Sequence, residues 1–301
     1  MLSRKNKLLL YKVLSLFSVV RGYNILMIVL AQYLASIYIL SPNIPLRDVI
    51  FDFNLFLIVS ASALVIAAGY IINNFYDAEK DLINKPTKSM VDRLVSQRFK
   101  ITAYFLLNFS ATFISSYISF RAVLFFSAYI FGIWLYSHKL KRMLLLGNIV
   151  SASLAIAPFF VVFVYYRNFE TVIFVHALFL FLLILAREII KNLENIVGDL
   201  TQNYRTFPIV YGDKVSKIII GFLIGLTLVP AWLLINKFDI GHMYIYFVTS
   251  ILVLMLFIFL LGRAKTKKDY VWLHNILKLI IILGVFGILF IDVNLVLNRI
   301  L

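Results

Sequence analysis

Cysteine is absent from all 301 residues. Its absence excludes disulfides, thiolate nucleophiles and Cys-ligated metals, and it leaves the redox compartment unmarked. Charge is scarce as well. Asp, Glu, Lys and Arg make up 14% of the chain, against about 25% in an ordinary soluble domain. No low-complexity tract and no soluble domain interrupts the sequence. The start, MLSRKNKLLLYKVLSLFSVV, has the basic-then-apolar order of a signal peptide. Lys12 interrupts its apolar part, however, and no small-x-small cleavage site follows directly. It reads as an amphipathic cytoplasmic lead-in.

What is present is mostly hydrocarbon: 62% of the residues are hydrophobic. Length alone permits two soluble domains, but hydropathy overrides that prior. Apolar stretches of about 18 to 24 residues recur, the length needed to cross ~30 Å of hydrocarbon as helix. Nine spans can be drawn, at about 22–40, 54–74, 101–119, 121–137, 143–166, 169–190, 215–236, 243–262 and 274–297. The expected fold class is all-α, a polytopic membrane protein whose residues 1–301 form a single transmembrane domain. With the amino terminus in the cytoplasm, 23 of the 29 Lys and Arg residues fall in the inner segments 1–21, 75–100, 138–142, 187–217 and 263–268. Only Arg47, Arg121, Arg167, Lys237 and Arg299 fall outside, and Lys278 lies within the last span. That asymmetry obeys the positive-inside rule and puts the carboxyl terminus outside. The net charge of +15 is therefore read as loop charge facing anionic membrane lipids, with no nucleic acid partner.

The polar segments are not alike. Outer connections such as RNFE and NKFDIGH are short and carry no evident chemistry. Two inner connections, 73–100 and 187–217, are long and acidic as well as basic. They follow the second and sixth spans, which hints at a duplicated four-helix unit, roughly 20–140 and 143–262, with a ninth helix added.

The first of these reads GYIINNFYDAEKDLINKP. Asn73, Asp77 and Asp81 are four apart, so a helix would stack them on one face, roughly 6 Å per step. A lone aspartate there is ordinarily a solvated helix end. Three hard oxygen donors in a row, abutting an apolar span, suit Mg²⁺, which is usually held by one or two carboxylates together with substrate phosphates. The second reads REIIKNLENIVGDLTQNYRTFPIVYGDK. Asn192, Asn195 and Asp199 again share a face, Glu188 lies one turn before, and Gly198 is placed to loosen or end the helix. Arg187, Lys191 and Arg205 put cations beside these oxygens. Two such clusters facing each other would hold a diphosphate between them. In YSHKLKR, residues 136–142, Lys139, Lys141 and Arg142 serve as membrane anchors or as further diphosphate contacts, and His138 reads as interfacial. Arg21 and Asn24 stand at the entrance of the first span, where polar residues usually face the protein interior.

These segments, in this order, resemble the UbiA superfamily of intramembrane prenyltransferases. The stretch AAGYIINNFYDAEKDLINKP is similar to the family's Asn-x-x-x-Asp-x-x-x-Asp motif. REIIKNLENIVGDLTQNYRTFPIVYG is similar to its second motif and the Arg-Thr-Leu-Pro segment beyond. YSHKLKR resembles its Tyr-Ser…Leu-Lys loop, and RGYN its Arg-x-x-Asn. The resemblance implies nine helices around a central cavity and Mg²⁺-dependent transfer of a polyprenyl group from a polyprenyl diphosphate to a lipophilic acceptor. It implies a first Mg²⁺ at Asn73, Asp77 and Asp81 and a second at Asp199 with Asn195 and Asn192. It further implies catalytic weight on Asp77, Asp81 and Asp199, and substrate contacts from Lys139, Lys141 and Arg205, with Arg21, Asn24 and Lys191 beside them. The chain departs from the pattern at Asn192 and Asn195, where the family usually has Asp. It departs again at KSMVDRLVSQR, where Pro-x-Pro-Ser-Gly-Arg is usual. An amide carbonyl ligates Mg²⁺ without bringing charge, so the second metal should bind more weakly, or be held chiefly by Asp199, Glu188 or Glu194 and the diphosphate.

The wording of the first motif is similar to the branch that prenylates geranylgeranylglycerol phosphate, and Lys85, Lys88 and Arg93 are candidates for an acceptor phosphate. Three readings stand beside it. One is an aromatic acceptor of the 4-hydroxybenzoate or dihydroxynaphthoate type, and another is a non-catalytic isoprenoid-lipid binder. The third, a secondary transporter, is disfavoured because the acidic residues sit at one membrane face instead of mid-span. The active site is expected on the cytoplasmic side of the plasma membrane. The 28 Phe and 17 Tyr residues offer many π faces for a cation, too many for sequence to single one out.

Overall fold

A computed structural model describes residues 15–291; most of the expected amphipathic lead-in and the last residues of the ninth predicted span lie outside them. Among the described residues nine helices are long and apolar enough to cross a membrane, and no strand forms. They are α1 (Gly22–Ala35, continued by a π-helical turn at Ser36–Leu40), α2 (Phe53–Tyr76), α3 (Gln97–Ile118), α4 (Phe120–His138), α5 (Leu146–Tyr166), α6 (Thr171–Glu194), α7 (Phe207–Lys237), α8 (Tyr244–Arg263) and α9 (Lys267–Gly287).

Two of the nine are central. In α2 67% of the spanning window is buried and in α6 56%, against at most 39% in any other span. A helix apolar all round belongs inside a bundle, and each of these two gathers a core of its own. Leu55, Ile58 and Val65 of α2 pack with Phe126. Leu183 and Ile190 of α6 pack with Ile224 and Phe257. Both central helices end in the polar motifs, so the most buried spans of the bundle carry the candidate chemistry.

Local rules explain the irregular points. Asp52 caps α2, accepting from the amides of Asn54 and Leu55 at 2.9 and 3.2 Å. Pro158, inside α5, frees the Leu154 carbonyl that its missing N–H would have engaged. The Tyr129 hydroxyl donates to that carbonyl at 3.0 Å. The buried Gln32 amide donates to the Pro158 carbonyl at 2.7 Å.

Three boundaries differ from the hydropathy reading. The seventh span begins at Phe207, before the expected residue 215, and is broken at Gly212, whose φ of 79° suits only glycine. The ninth begins at Lys267, before the expected residue 274, because Thr266 and Asp269 form a capping box. The helix expected to loosen or end at Gly198 instead bends at Asn195, and Gly198 lies inside the short helix Ile196–Thr201.

Candidate functional site

Both motifs turn at their middle residue. Asp77 (φ −92°, ψ 3°) separates α2 from the short helix Ala78–Asn84, and Asn195 (φ −110°, ψ 15°) separates α6 from Ile196–Thr201. The hydrogen-bond ladder survives each bend. The Asp77 amide donates to the Asn73 carbonyl at 2.9 Å and the Asp81 amide to that of Asp77 at 2.8 Å. In the second motif, Asn195 donates to Lys191 and Asp199 to Asn195, both at 3.0 Å. The backbone ladder that links the motif residues therefore continues, folded over at each centre.

The two bends face each other. Asn84 clasps them: its Nδ2 donates to the Asn195 carbonyl at 3.2 Å, and its Oδ1 accepts from the Gly198 amide at 3.1 Å. A Cβ on Gly198 would lie 2.3 Å from Asn84 Nδ2, so glycine is needed there for close approach. Lys80 spans the same gap, with Nζ 3.5 Å from Asp77 Oδ1 and 3.2 Å from Asp199 Oδ1. It also stacks over the Tyr204 ring at 4.5 Å.

Asp77 is the electrostatic centre. Its Oδ1 accepts from Lys141 Nζ at 2.7 Å and from the Tyr204 hydroxyl at 3.2 Å. Burial would raise its pKa, but Lys80 and Lys141 outweigh burial and hold the carboxyl below the usual carboxylate range. Burial likewise works against charge on Lys80, yet Asp77 and Asp199 raise its pKa above that of an ordinary lysine.

Beside these bends opens a cavity of about 480 Å³, within the range of small-molecule sites. Its walls are apolar and aromatic, among them Ile66, Ile133, Leu154, Phe159 and Phe174. Its polar rim carries Arg21, Asn24, Asn73, Arg187, Glu188, Lys191 and Lys278. Arg21 sits 5.1 Å from the Tyr70 ring, and the Asn24 amide donates to the Tyr70 hydroxyl at 3.1 Å. Lys191 donates to both Glu188 oxygens at 2.8 Å, and Arg187 lies 3.0 Å from His274 Nε2.

The residues singled out from sequence divide accordingly. Arg21, Asn24, Asn73 and Lys191 line the cavity, Asp77 and Asp199 lie on the facing bends, Lys141 reaches Asp77 from the turn at 140–142, and Asp81 is half-buried one turn beyond Asp77. Asn192 is spent on Asn148 Oδ1 at 3.3 Å, and the Asn195 amide turns back to the Lys191 carbonyl at 2.8 Å. Lys139 and Arg205, expected at the diphosphate, are exposed and do not line the cavity; the Arg205 backbone amide donates to the Arg142 carbonyl at 2.9 Å. Neither do Lys85, Lys88 and Arg93 line it. Lys85 lies 3.8 Å from Glu194 and Lys88 3.9 Å from Asp92. Sequence reading passed over Lys80, Asn84 and Tyr204. Lys80 was findable, three residues after Asp77 and so on its helical face; nothing in the local sequence marks the other two.

Among the described residues no three His, Asp or Glu side chains converge closely enough to chelate a metal unaided. The donor set nevertheless suits Mg²⁺ completed by substrate phosphates. All three contacts of Asp77 fall on Oδ1. Asn195 Oδ1 is buried without a hydrogen-bond partner. Hard oxygens with unused lone pairs are what a hard cation binds.

A model of the UbiA prenyltransferase family matches residues 14–291. The digeranylgeranylglyceryl phosphate synthase of Methanobrevibacter smithii is 31% identical over 265 residues, 83% of this chain and 87% of that protein. Its namesake from Thermococcus gammatolerans is 29% identical over 236 residues, covering 78% and 83%. A solved structure concerning digeranylgeranylglyceryl phosphate synthase in membranes superposes with a TM-score of 0.69 at 22% identity, over 93% of this chain and 98% of that one. A UbiA homologue from Archaeoglobus fulgidus, bound to GPP and Mg²⁺, gives 0.66 at 14% identity over 91% and 99%.

Proposed function

The chain belongs to the UbiA prenyltransferase family, and from that membership we propose that it transfers a geranylgeranyl group from its diphosphate to the hydroxyl of geranylgeranylglyceryl phosphate. The observation that carries the choice of acceptor is the charge on the cavity rim. Arg187 and Lys191 are occupied by Glu188 and His274. Arg21 and Lys278 instead rest on tyrosines: Arg21 on Tyr70, and Lys278 on Tyr23, 3.3 Å from its hydroxyl and 4.4 Å from its ring. Among the described residues neither has a carboxylate partner. A site that must hold a diphosphate and an acceptor phosphate together needs such cations to spare.

In this reading Asn73, Asp77 and Asp81 hold Mg²⁺, which when bound neutralises charge on the departing diphosphate. Lys141, fixed against Asp77, adds a positive charge beside it. Cleavage of the C1–O bond leaves its electron pair on the diphosphate. The acceptor hydroxyl oxygen bonds to the allylic carbon, and its proton passes to the released diphosphate. The apolar walls exclude the water that would otherwise capture the allylic cation. The Lys and Arg asymmetry supports a rim on the cytoplasmic face. Because the chain has no cysteine of its own, an Arg205→Cys variant reports this directly. A membrane-impermeant maleimide should label it in inside-out vesicles and not in right-side-out ones; the reverse pattern inverts the topology.

The deciding assay gives purified protein labelled geranylgeranyl diphosphate with either geranylgeranylglyceryl phosphate or 4-hydroxybenzoate. Product should form with the glyceryl phosphate and stop when Mg²⁺ is chelated. Product with the benzoate alone would reassign the acceptor. No diphosphate release with any acceptor would make the protein a lipid binder.

A further inference from the structure

We infer that the Lys80 ammonium is a built-in cation between the two motifs, standing where a second divalent ion would bridge them, so that the site works with one bound metal. This rests on the reading that the site takes a prenyl diphosphate, and it replaces the expectation of a second Mg²⁺ at Asn192, Asn195 and Asp199.

Three observations converge. Lys80 Nζ lies within 3.5 Å of Asp77 Oδ1 and 3.2 Å of Asp199 Oδ1. Those carboxylates come from opposite motifs, so the ammonium cross-links them as a bridging cation would. Its side chain is only 16% exposed, and the Tyr204 ring covers it at 4.5 Å, so it is packed in place. The second face has little charge left for a metal. Asn192 and Asn195 are neutral: their NH2 groups are hydrogen-bonded, and the unpartnered Asn195 Oδ1 offers a metal a carbonyl oxygen without charge. The face's two carboxylates between residues 192 and 199 are Glu194 and Asp199; Glu194 lies 3.8 Å from Lys85 and 3.2 Å from His274, and Lys80 is already paired with Asp199. A divalent ion drawn to Asp199 would have to expel Lys80 or sit against its positive charge. The first face is different. Asp81 has no ion-pair partner among the described residues, and Asp77 keeps Oδ2 clear of its lysines, so one metal can be held there with the diphosphate.

Lys80 then has two roles. It neutralises part of the charge that develops on the leaving diphosphate, and it keeps the bends together before substrate arrives. A lysine suits this better than arginine, being a compact point charge with three donors instead of a planar fork.

The test counts Mn²⁺ bound to the full-length protein in detergent, with geranylgeranyl thiolodiphosphate as the probe. Electron paramagnetic resonance separates a mononuclear Mn²⁺ spectrum from that of an exchange-coupled pair. The wild type should bind one Mn²⁺ per chain with a mononuclear spectrum. Lys80→Met combined with Asn195→Asp removes the ammonium and supplies a second carboxylate, and should bind two. A coupled pair in the wild type, or one Mn²⁺ in the double variant with its thermal midpoint retained, overturns the inference while leaving the proposed function standing. Failure of the wild type to bind the probe at any Mn²⁺ concentration sinks the proposed function and this inference with it.

Discussion

At Asp77 a central helix bends and sets a carboxylate among Lys80, Lys141 and Tyr204. At Asn195 the other central helix bends with similar torsions and sets down a neutral amide whose donor turns back on its own helix. The backbone device is shared; the charge is not. One bend is built to gather cations, while the other is held to it chiefly by Asn84 and Lys80. Shape and electrostatics have thus been divided between the two motifs, and substitutions on the two faces should have unequal effects.

The sharpest contrast sets Asp81→Ala against Asn192→Ala. Losing a group that stabilises developing charge typically lowers kcat by about 10²–10³-fold, and Asp81→Ala should do so without lowering the thermal midpoint, since it pairs with no cation among the described residues. Asn192 is occupied by Asn148, so Asn192→Ala should cost no more than about tenfold, about 1.4 kcal/mol in the barrier. Equal losses would erase the distinction between the faces. Asp77→Ala belongs with Asp81 in activity but not in stability. It strips the partner from buried Lys141, and breaking one side of a buried pair costs about 3–5 kcal/mol.

Next comes the clasp. Gly198→Ala would gain roughly 1 kcal/mol from helix propensity alone. The new Cβ, however, would lie 2.3 Å from Asn84 Nδ2 and displace the amide that ties the helix after Asp77 to the Asn195 bend. Leaving those buried groups unsatisfied costs about 1–3 kcal/mol. A lowered thermal midpoint, matched by Asn84→Ala and not exceeded in the double variant, identifies the clasp as the cause. A raised midpoint would mean that the bends do not depend on Asn84.

Much of this was legible in the sequence. The nine spans follow from hydropathy, and the four-residue spacing placed Asn73, Asp77 and Asp81 on one ladder. Polar ends of spans were less legible: α9 starts at a capping box that a hydropathy window averages away, and α7 hides a break at Gly212. At the site, Lys141 and Lys191 neighbour recognisable motifs, and the structure puts one against Asp77 and the other in the cavity lining. Lys139 and Arg205 neighbour the same motifs and are exposed, since adjacency in sequence does not say which way a side chain points. Asn84 and Tyr204 act on partners more than a hundred residues away, and no local pattern encodes such a contact.

The smallest expected effect tests the part of the rim that belongs to neither motif. Lys278 lies within a membrane-spanning helix, where a cation is costly unless it serves a polar partner. Its described partner is the Tyr23 hydroxyl at 3.3 Å, a neutral group that can be exchanged for a phosphate oxygen. Lys278→Met keeps the apolar stem and removes the charge. It should raise KM for geranylgeranylglyceryl phosphate about tenfold, the equivalent of one charge-assisted hydrogen bond. KM for geranylgeranyl diphosphate should stay within about twofold, because that substrate is gripped on the motif side. A rise in both constants would mean that Lys278 serves the diphosphate. A rise in neither would leave the acceptor phosphate to Arg21 and make Lys278 a partner of Tyr23 alone.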